Sequence, residues 1–289
     1  MKRKFIGKIK DEYRVKYFFF WINIWTKRKV EMLVHRCINE LRNELWNVLE
    51  TLRCMRITDK LAQFRHPAVF EKYRGIHRGE DIVVVGAGPT LDAYTPIPGA
   101  IHIGVNSTYR CEKLALDYLF VQDGAPVNEV PELTNYRKGI CKKFFGVHPN
   151  PTVPPISDAF AEENGAERYY FVNSDPATVA SLLPQDLAVQ PLACAHSVIT
   201  CAFQFALWCK PRRIYLVGCD CSCSGHFAGE SSGCKQFLPI DGMTQEWANL
   251  AAFAKRYHRD VEIVSINPVG LRGLFKDLDT AAEKETSQA

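Results

Sequence analysis

Between Asp81 and Leu91 the chain reads DIVVVGAGPTL. Four consecutive apolar residues, Ile82 to Val85, run into Gly86 and Gly88, with Pro89 immediately behind. A strand that is apolar at every position is buried on both faces, which is the situation of a parallel sheet covered by helices. Gly86 and Gly88 admit backbone angles closed to other residues and let another group approach the main chain closely. Pro89 suits a first helical turn, where its missing N–H costs nothing. A helix starting there would offer free N–H groups and a positive dipole end to a phosphate. Residues Gly86, Ala87, Gly88, Pro89, Thr90 and Leu91 are therefore expected to form a phosphate or nucleotide cradle.

The pattern is G-x-G-x-x-L, with Leu91 in place of the third glycine of the dinucleotide fingerprint. The next strand, Ile101 to Val105, ends in Asn106 and not in the acidic residue that would hold a nicotinamide ribose. Both departures favour a nucleotide other than NAD. Further strands are expected at Leu116–Val121, Arg168–Val172, Arg213–Gly218 and Val261–Ile266, with helices at His196–Leu207 and Thr244–Tyr257. In a doubly wound sheet ligands sit beyond the carboxyl ends of the strands. Asn106, Gln122, Asp123, Asp220 and Asn267 each close a strand and so share a rim with Gly86. Between Gly124 and Gln190, prolines such as Pro151, Pro154, Pro155, Pro176 and Pro184 punctuate short runs, and the stretch reads as largely irregular.

The strand at Arg213 leads into GCDCSCSGHF, Gly218 to Phe227. Cys219, Cys221 and Cys223 at alternate positions place thiols in a row and not around a tetrahedron, so no metal site is expected. Gly225 to Gly242 is rich in Gly and Ser and reads as a lid, with His226 its sole histidine and a candidate general base.

Composition is that of an ordinary globular chain, with 47% hydrophobic and 24% charged residues over 289 positions. Eleven cysteines at scattered, mostly apolar positions, with no cleavable signal pattern ahead of them, point to a reduced, cytoplasmic protein. The net charge of +4 hides an asymmetry: residues 1–30 carry ten Lys or Arg against Asp11 and Glu12, which leaves the remainder acidic. Inside that segment lies YFFFWINIW, Tyr17 to Trp25, nine residues where roughly 20 are needed to cross a bilayer. Aromatic residues flanked by basic ones suit peripheral contact with the inner face of the cytoplasmic membrane, or packing on protein. They form one block and are not interleaved with the basic residues, which argues against nucleic acid. Val34, Ile38, Leu41, Leu45, Val48, Leu52 and Met55 follow at spacings of 4 and 3, a coiled-coil seam that wants a partner helix, in a second copy or in the same chain. The expected organisation is a basic aromatic segment (1–30), a helical region and connector (31–78), a Rossmann-like domain with a doubly wound, mostly parallel sheet and a lid (79–278), and a polar, frayed tail (279–289).

Four blocks, VVVGAGPTLD, IGVNS, AHSVITCAFQFALWCKPRRIYLVGCDCS and WANLAAFAKRYHRDVEIVSINPVGLRGLF, resemble in order and spacing the sialyltransferases of glycosyltransferase family 42. They are also similar to the related domain of bacterial flagellin-modifying motility accessory proteins. The resemblance spans roughly Gly79 to Phe275. It implies CMP-sialic acid or a related CMP-sugar as donor, held by Gly86, Gly88, Pro89, Thr90 and Asn106, with His196 and Ser197 near the phosphate or sugar. It places Asp220 near the donor, and Asn267 and Gly270 along the base or ribose. It further implies metal-independent direct displacement with a histidine base, His226 or else His196, and a glycan or lipid-linked acceptor. The family has Asn where this chain has Ala87, its lid tyrosines have only Phe227 and Phe237 as counterparts, and its histidine lies later in the lid. Two alternatives stand beside it. An archaeal pterin diphosphokinase is similar to the same flagellin-associated domain and would use magnesium, for which Asp123 and Asp220 are the rim carboxylates. The other is a non-catalytic nucleotide-binding scaffold.

Overall fold

The computed structural model describes residues 12–122, 129–147, 156–222, 224–227 and 240–280, with side chains from residue 29 onward. Its first element is the helix α1 (Glu12–Phe70), and Cα packing divides the chain within that helix into Met1–Arg53 and Cys54–Ala289. Among the described residues no helix is long and apolar enough to cross a membrane. The side chains of Tyr17 to Trp25 lie outside the described residues.

Among the described residues the larger unit is built on nine strands, all paired in parallel. In chain order these are β1 (Asp81–Val85), β2 (Ile101–Val105), β3 (Tyr118–Val121), β4 (Lys142–Val147), β5 (Glu167–Asn173), β6 (Leu192–Cys194), β7 (Arg213–Val217), β8 (Glu262–Ile266) and β9 (Lys276–Leu278). The helices between them are α2 (Pro131–Asn135), α3 (Asp158–Glu163), α4 (Pro176–Leu182), α5 (Val198–Trp208) and α6 (Ile240–Tyr257). Their spatial order is β6-β5-β4-β3-β2-β1-β7-β8-β9, so the chain winds outward from β1, returns through α5, and winds the other way from β7. The direction of winding reverses between β1 and β7, and a doubly wound sheet opens its ligand crevice at that point.

Every residue of α5 is buried, in keeping with a helix apolar on all sides. Its one amide, Gln204, is satisfied by accepting from the Ala193 N–H and donating to the Ala193 and Thr200 carbonyls. Phe205 on α5 meets Phe120 and Phe144 of the sheet and Phe70 at the end of α1, with the Phe120 and Phe144 rings stacked 4.6 Å apart. Trp208 donates its indole N–H to the Phe70 carbonyl at 2.9 Å, occupying one of the acceptors a helix end leaves open.

The stretch expected as connector thus behaves as part of the body. His66, Val69, Phe70, Tyr73 and His77 are all buried, and helix continues through Pro67. The stretch expected to be largely irregular holds, among its described residues, β4 and three short helices besides β5, which covers the strand expected at Arg168–Val172. Its least legible strand is KKFFGV, where Lys143 is buried and its ammonium donates to the Leu133 and Thr134 carbonyls at the end of α2 and to Asn164 Oδ1. The tail is anchored at its start, Asp279 pairing with Arg272 and Thr280 with Asn267; residues 281–289 lie outside the described residues.

His66 is fully buried, and its Nδ1 faces the Leu187 and Gln190 carbonyls, while Nε2 accepts from the Tyr170 N–H. Nδ1 therefore carries the proton and the ring stays neutral, burial pushing its pKa down to about 4. Above pH 6.5 the ring is neutral folded and unfolded. As pH falls from 6.5 towards 4 the unfolded chain binds the proton first and stability is lost. Between pH 7 and pH 5 the native chain should lose about 2 kcal/mol more than His66→Gln in denaturant titrations; equal losses would contradict this placement.

Candidate functional site

At the switch point the carboxyl ends of β1 and β7 meet through glycine. A Cβ on Gly86 would sit 2.4 Å from the Gly218 carbonyl oxygen, and one on Gly218 would sit 2.3 Å from that of Gly86. Gly218 also has φ +64, in the left-handed region that side chains disfavour. The Gly86 N–H donates to the Val217 carbonyl at 2.7 Å and the Gly88 N–H to that of Gly218 at 2.8 Å. The glycine pair is thus explained first by strand-to-strand packing, with two of its N–H groups committed to β7.

Pro89–Ala93 forms a 3-10 helix in place of the expected α-helix. Pro96 and Pro98 follow closely and disfavour helix in the residues before them, which leaves one short turn and no developed macrodipole. The turn is held from β7: Asp220, buried, accepts from the Thr90 N–H at 2.9 Å with one carboxylate oxygen and from the Thr90 hydroxyl with the other. Its main-chain carbonyl accepts from the Gly270 N–H at 2.8 Å. Asp220 therefore ties three loops together, and both its oxygens are engaged in doing so.

Asn106, with φ +42, ends β2 and accepts from the Gln122 N–H at 3.2 Å. The Gln122 side chain reaches Cys201 Sγ at 3.1 Å and Cys194 Sγ at 3.8 Å, which joins the β3 end to β6 and α5. Asn267 stands at the end of β8 with φ +49, but its amide is spent on Thr280, donating at 3.0 Å and accepting at 2.9 Å. Asp123, Cys223 and Phe237 lie outside the described residues. Cys221 is buried, and burial pushes its thiol up to about 12. Among the described residues no three His, Cys, Asp or Glu side chains could hold a metal together.

The expected lid begins at the rim. Phe227 is buried and its N–H donates to the Ala87 carbonyl at 2.9 Å, so the neighbouring His226, whose side chain is exposed, is tethered beside the glycine turn. Residues 228–239 lie outside the described residues, and Ile240 to Gly242 form the first turn of α6.

Ser197 caps α5, and the exposed His196 precedes it. The segment entering α5 is held by a residue that the sequence motifs do not include. Glu246 of α6, 1% exposed, accepts from the Ala195 N–H at 2.7 Å and the His196 N–H at 3.0 Å. Burial pushes its carboxyl up, against the hydrogen bonds from Ala195, Thr200 and His196 that pull it down. A Cβ on Gly242, one turn earlier, would sit 2.3 Å from His196 Nε2, so this glycine makes room for the ring. Glu246 was findable: it stands four and seven residues before Leu250 and Phe253, on the buried face of an amphipathic helix.

No protein-family model matches the chain, and no curated protein does either. Among solved structures it is similar to the alpha-2,3-sialyltransferase Cst-I of Campylobacter jejuni, at 15% identity over 65% of this chain and 75% of that one, TM-score 0.43. It is similar to the MAf glycosyltransferase of Magnetospirillum magneticum, at 13% identity over 76% of this chain and 39% of that one, TM-score 0.47. A third is the sialyltransferase CstII of Campylobacter jejuni, solved with the substrate analogue CMP-3FNeuAc, at 11% identity over 73% of this chain and all of that one, TM-score 0.42.

The glycine contact can be weighed against backbone angle alone. Gly79 has φ +82 with nothing within 4 Å of its would-be Cβ, whereas Gly218 combines a positive φ with the clash on Gly86. Gly79→Ala should cost about 1–2 kcal/mol, and Gly218→Ala a further 1–3 kcal/mol or so from overpacking. Equal midpoints in denaturant would mean that the two strand ends are not in contact.

Proposed function

We propose that the chain is a glycosyltransferase that takes its sugar from a nucleotide donor, a CMP-sugar of the sialic acid type, and transfers it to an acceptor hydroxyl on a glycan or lipid-linked glycan. The observation that carries the reading is the convergence at one switch point of the segments it needs. The glycine turn, Asn106 and Gln122, the start of α5 with His196 and Ser197, and His226 tethered through Phe227 all belong to strand ends on one edge of one parallel sheet. The glycine turn, Asn106, His196 and Ser197 lie in the blocks whose order resembles glycosyltransferase family 42.

In this reading Thr90 and Asn106 lie along the nucleotide, Ser197 at the head of α5 meets the phosphate, and Gly270 borders the base or ribose. The base, His226, takes the proton of the acceptor hydroxyl as that oxygen bonds to the anomeric carbon. The bond from the anomeric carbon to the phosphate oxygen breaks, the sugar passes through oxocarbenium character, and CMP leaves with its charge held by polar groups of the rim. Asp220, bound through both oxygens to Thr90, acts as a positioning residue. The same engagement weakens the magnesium-dependent diphosphokinase reading, which would draw on Asp220 as a ligand. Peripheral attachment to a membrane through residues 1–30 would fit an enzyme of surface glycans.

Calorimetric titration with CMP, CDP, UDP, GDP and ATP, with and without magnesium, should give selective, metal-independent binding of CMP. Hydrolysis of a CMP-sugar should then fall by about 10² or more in His226→Ala, with CMP affinity retained. Magnesium-dependent ATP binding, or no nucleotide binding, would overturn the proposal.

A further inference from the structure

Among the described residues, the segment 30–52 of α1 presents an uncovered apolar face. Val34, Ile38, Leu41, Leu45, Val48 and Leu52 are 51–64% exposed, and Trp46 and Leu49 beside them are also more than half exposed. A contiguous apolar stripe of this kind marks an interaction surface, and a lone helix in water is sustained chiefly by packing of its apolar face.

We propose that this stripe is a self-association seam, occupied by the same stripe of a second copy of this chain in a parallel, in-register coiled coil. Three observations select that occupant. First, the 4-3-4-3 spacing places Ile38, Leu45 and Leu52 at a positions and Val34, Leu41 and Val48 at d positions, and it is this 3.5-residue repeat that keeps one helix facing another. Second, the charges are balanced. Residues 31–56 contain four Arg and four Glu, with Arg36 and Glu40 paired at 2.8 Å away from the seam. A helix lying on an anionic lipid surface has instead a polar face rich in Lys and Arg. Third, the exposed stretch is long enough: 23 helical residues span about 34 Å, a little over three heptads of seam.

The flanks decide the orientation. Parallel pairing sets each g position against the following e position of the partner, giving Cys37 with Arg42 and Glu44 with Leu49, and no like charges meet. The antiparallel register that matches all six seam residues would centre on Asn43 and set Arg42 against Arg42 and Glu44 against Glu44. Like charges so opposed select against that arrangement.

The test is the mass of the full chain in solution at micromolar concentration and physiological salt. Sedimentation equilibrium should give a multiple of 32.8 kDa. Leu45→Lys, on the seam, should return it to the monomer. Leu33→Lys, equally exposed but off the seam, should leave the mass unchanged, with the thermal midpoint of the body the same in both variants. A monomeric native chain, a multimer indifferent to Leu45→Lys, or a monomer gathered only on anionic vesicles would overturn the proposal. A short bismaleimide should join Cys37 of one copy to Cys37 of the other. In the antiparallel register the two lie about 18 Å apart along the axis, so a multimer that cross-links no better than Cys37→Ser would overturn the parallel arrangement.

Discussion

Two backbones meet at the carboxyl ends of β1 and β7 more closely than any side chain allows. Gly86 and Gly218 exclude a Cβ from each other's carbonyl, and the N–H groups of Gly86 and Gly88 are bonded across the same contact. Much of the rim follows from it. Because the chain turns sharply at Gly218, Asp220 comes back over the glycine turn and holds Thr90; because Asp220 is there, Gly270 can dock on its carbonyl. Ala87, left between the two glycines, offers its carbonyl to the Phe227 N–H and so holds residues 226–227 beside the glycine turn. A residue larger than glycine at position 86 or 218 would part the strands just where the winding reverses.

A second set of constraints comes from buried polar groups with specific partners. Glu246 is carried on α6 but acts on the segment entering α5, holding two successive N–H groups and thereby the orientation of His196. Lys143 closes the end of α2, and His66 ties α1 to β5 and to the loop before β6. Each would be costly to bury alone, and in each case the hydrogen bonds link elements distant in sequence.

The strands β1, β2, β7 and β8 were legible because their burial leaves mostly apolar runs, continuous in β1 from Ile82 to Val85 and broken in β2 by His102 and in β8 by Ser265. The helix α5 was legible for the same reason. Strand β4 was not: Lys142 and Lys143 interrupt its pattern, and only the tertiary structure shows that the second ammonium has carbonyl partners. Strands β6 and β9, three residues each, are too short to carry any periodicity. Gly86, Asn106, Asp220 and Asn267 could be assigned to one edge of the sheet because every parallel strand ends on that edge. What their side chains do there was not readable. Asn267 turns to Thr280 and Asp220 to Thr90, contacts that join residues 13 and 130 positions apart. The long-range partners of Glu246 were equally invisible, although its place on the buried face of α6 was not.

In the function proposed above, a cytidine nucleotide binds over the carboxyl ends of β1 and β7. Hydrogen exchange of the full chain, followed peptide by peptide with and without saturating CMP, tests it directly. The account predicts slowed exchange in peptides covering residues 86–93 and 195–200, and none in the groove of about 800 Å³ between the end of α6, β8 and Phe275. Protection confined to that groove, or no protection at all, would contradict it.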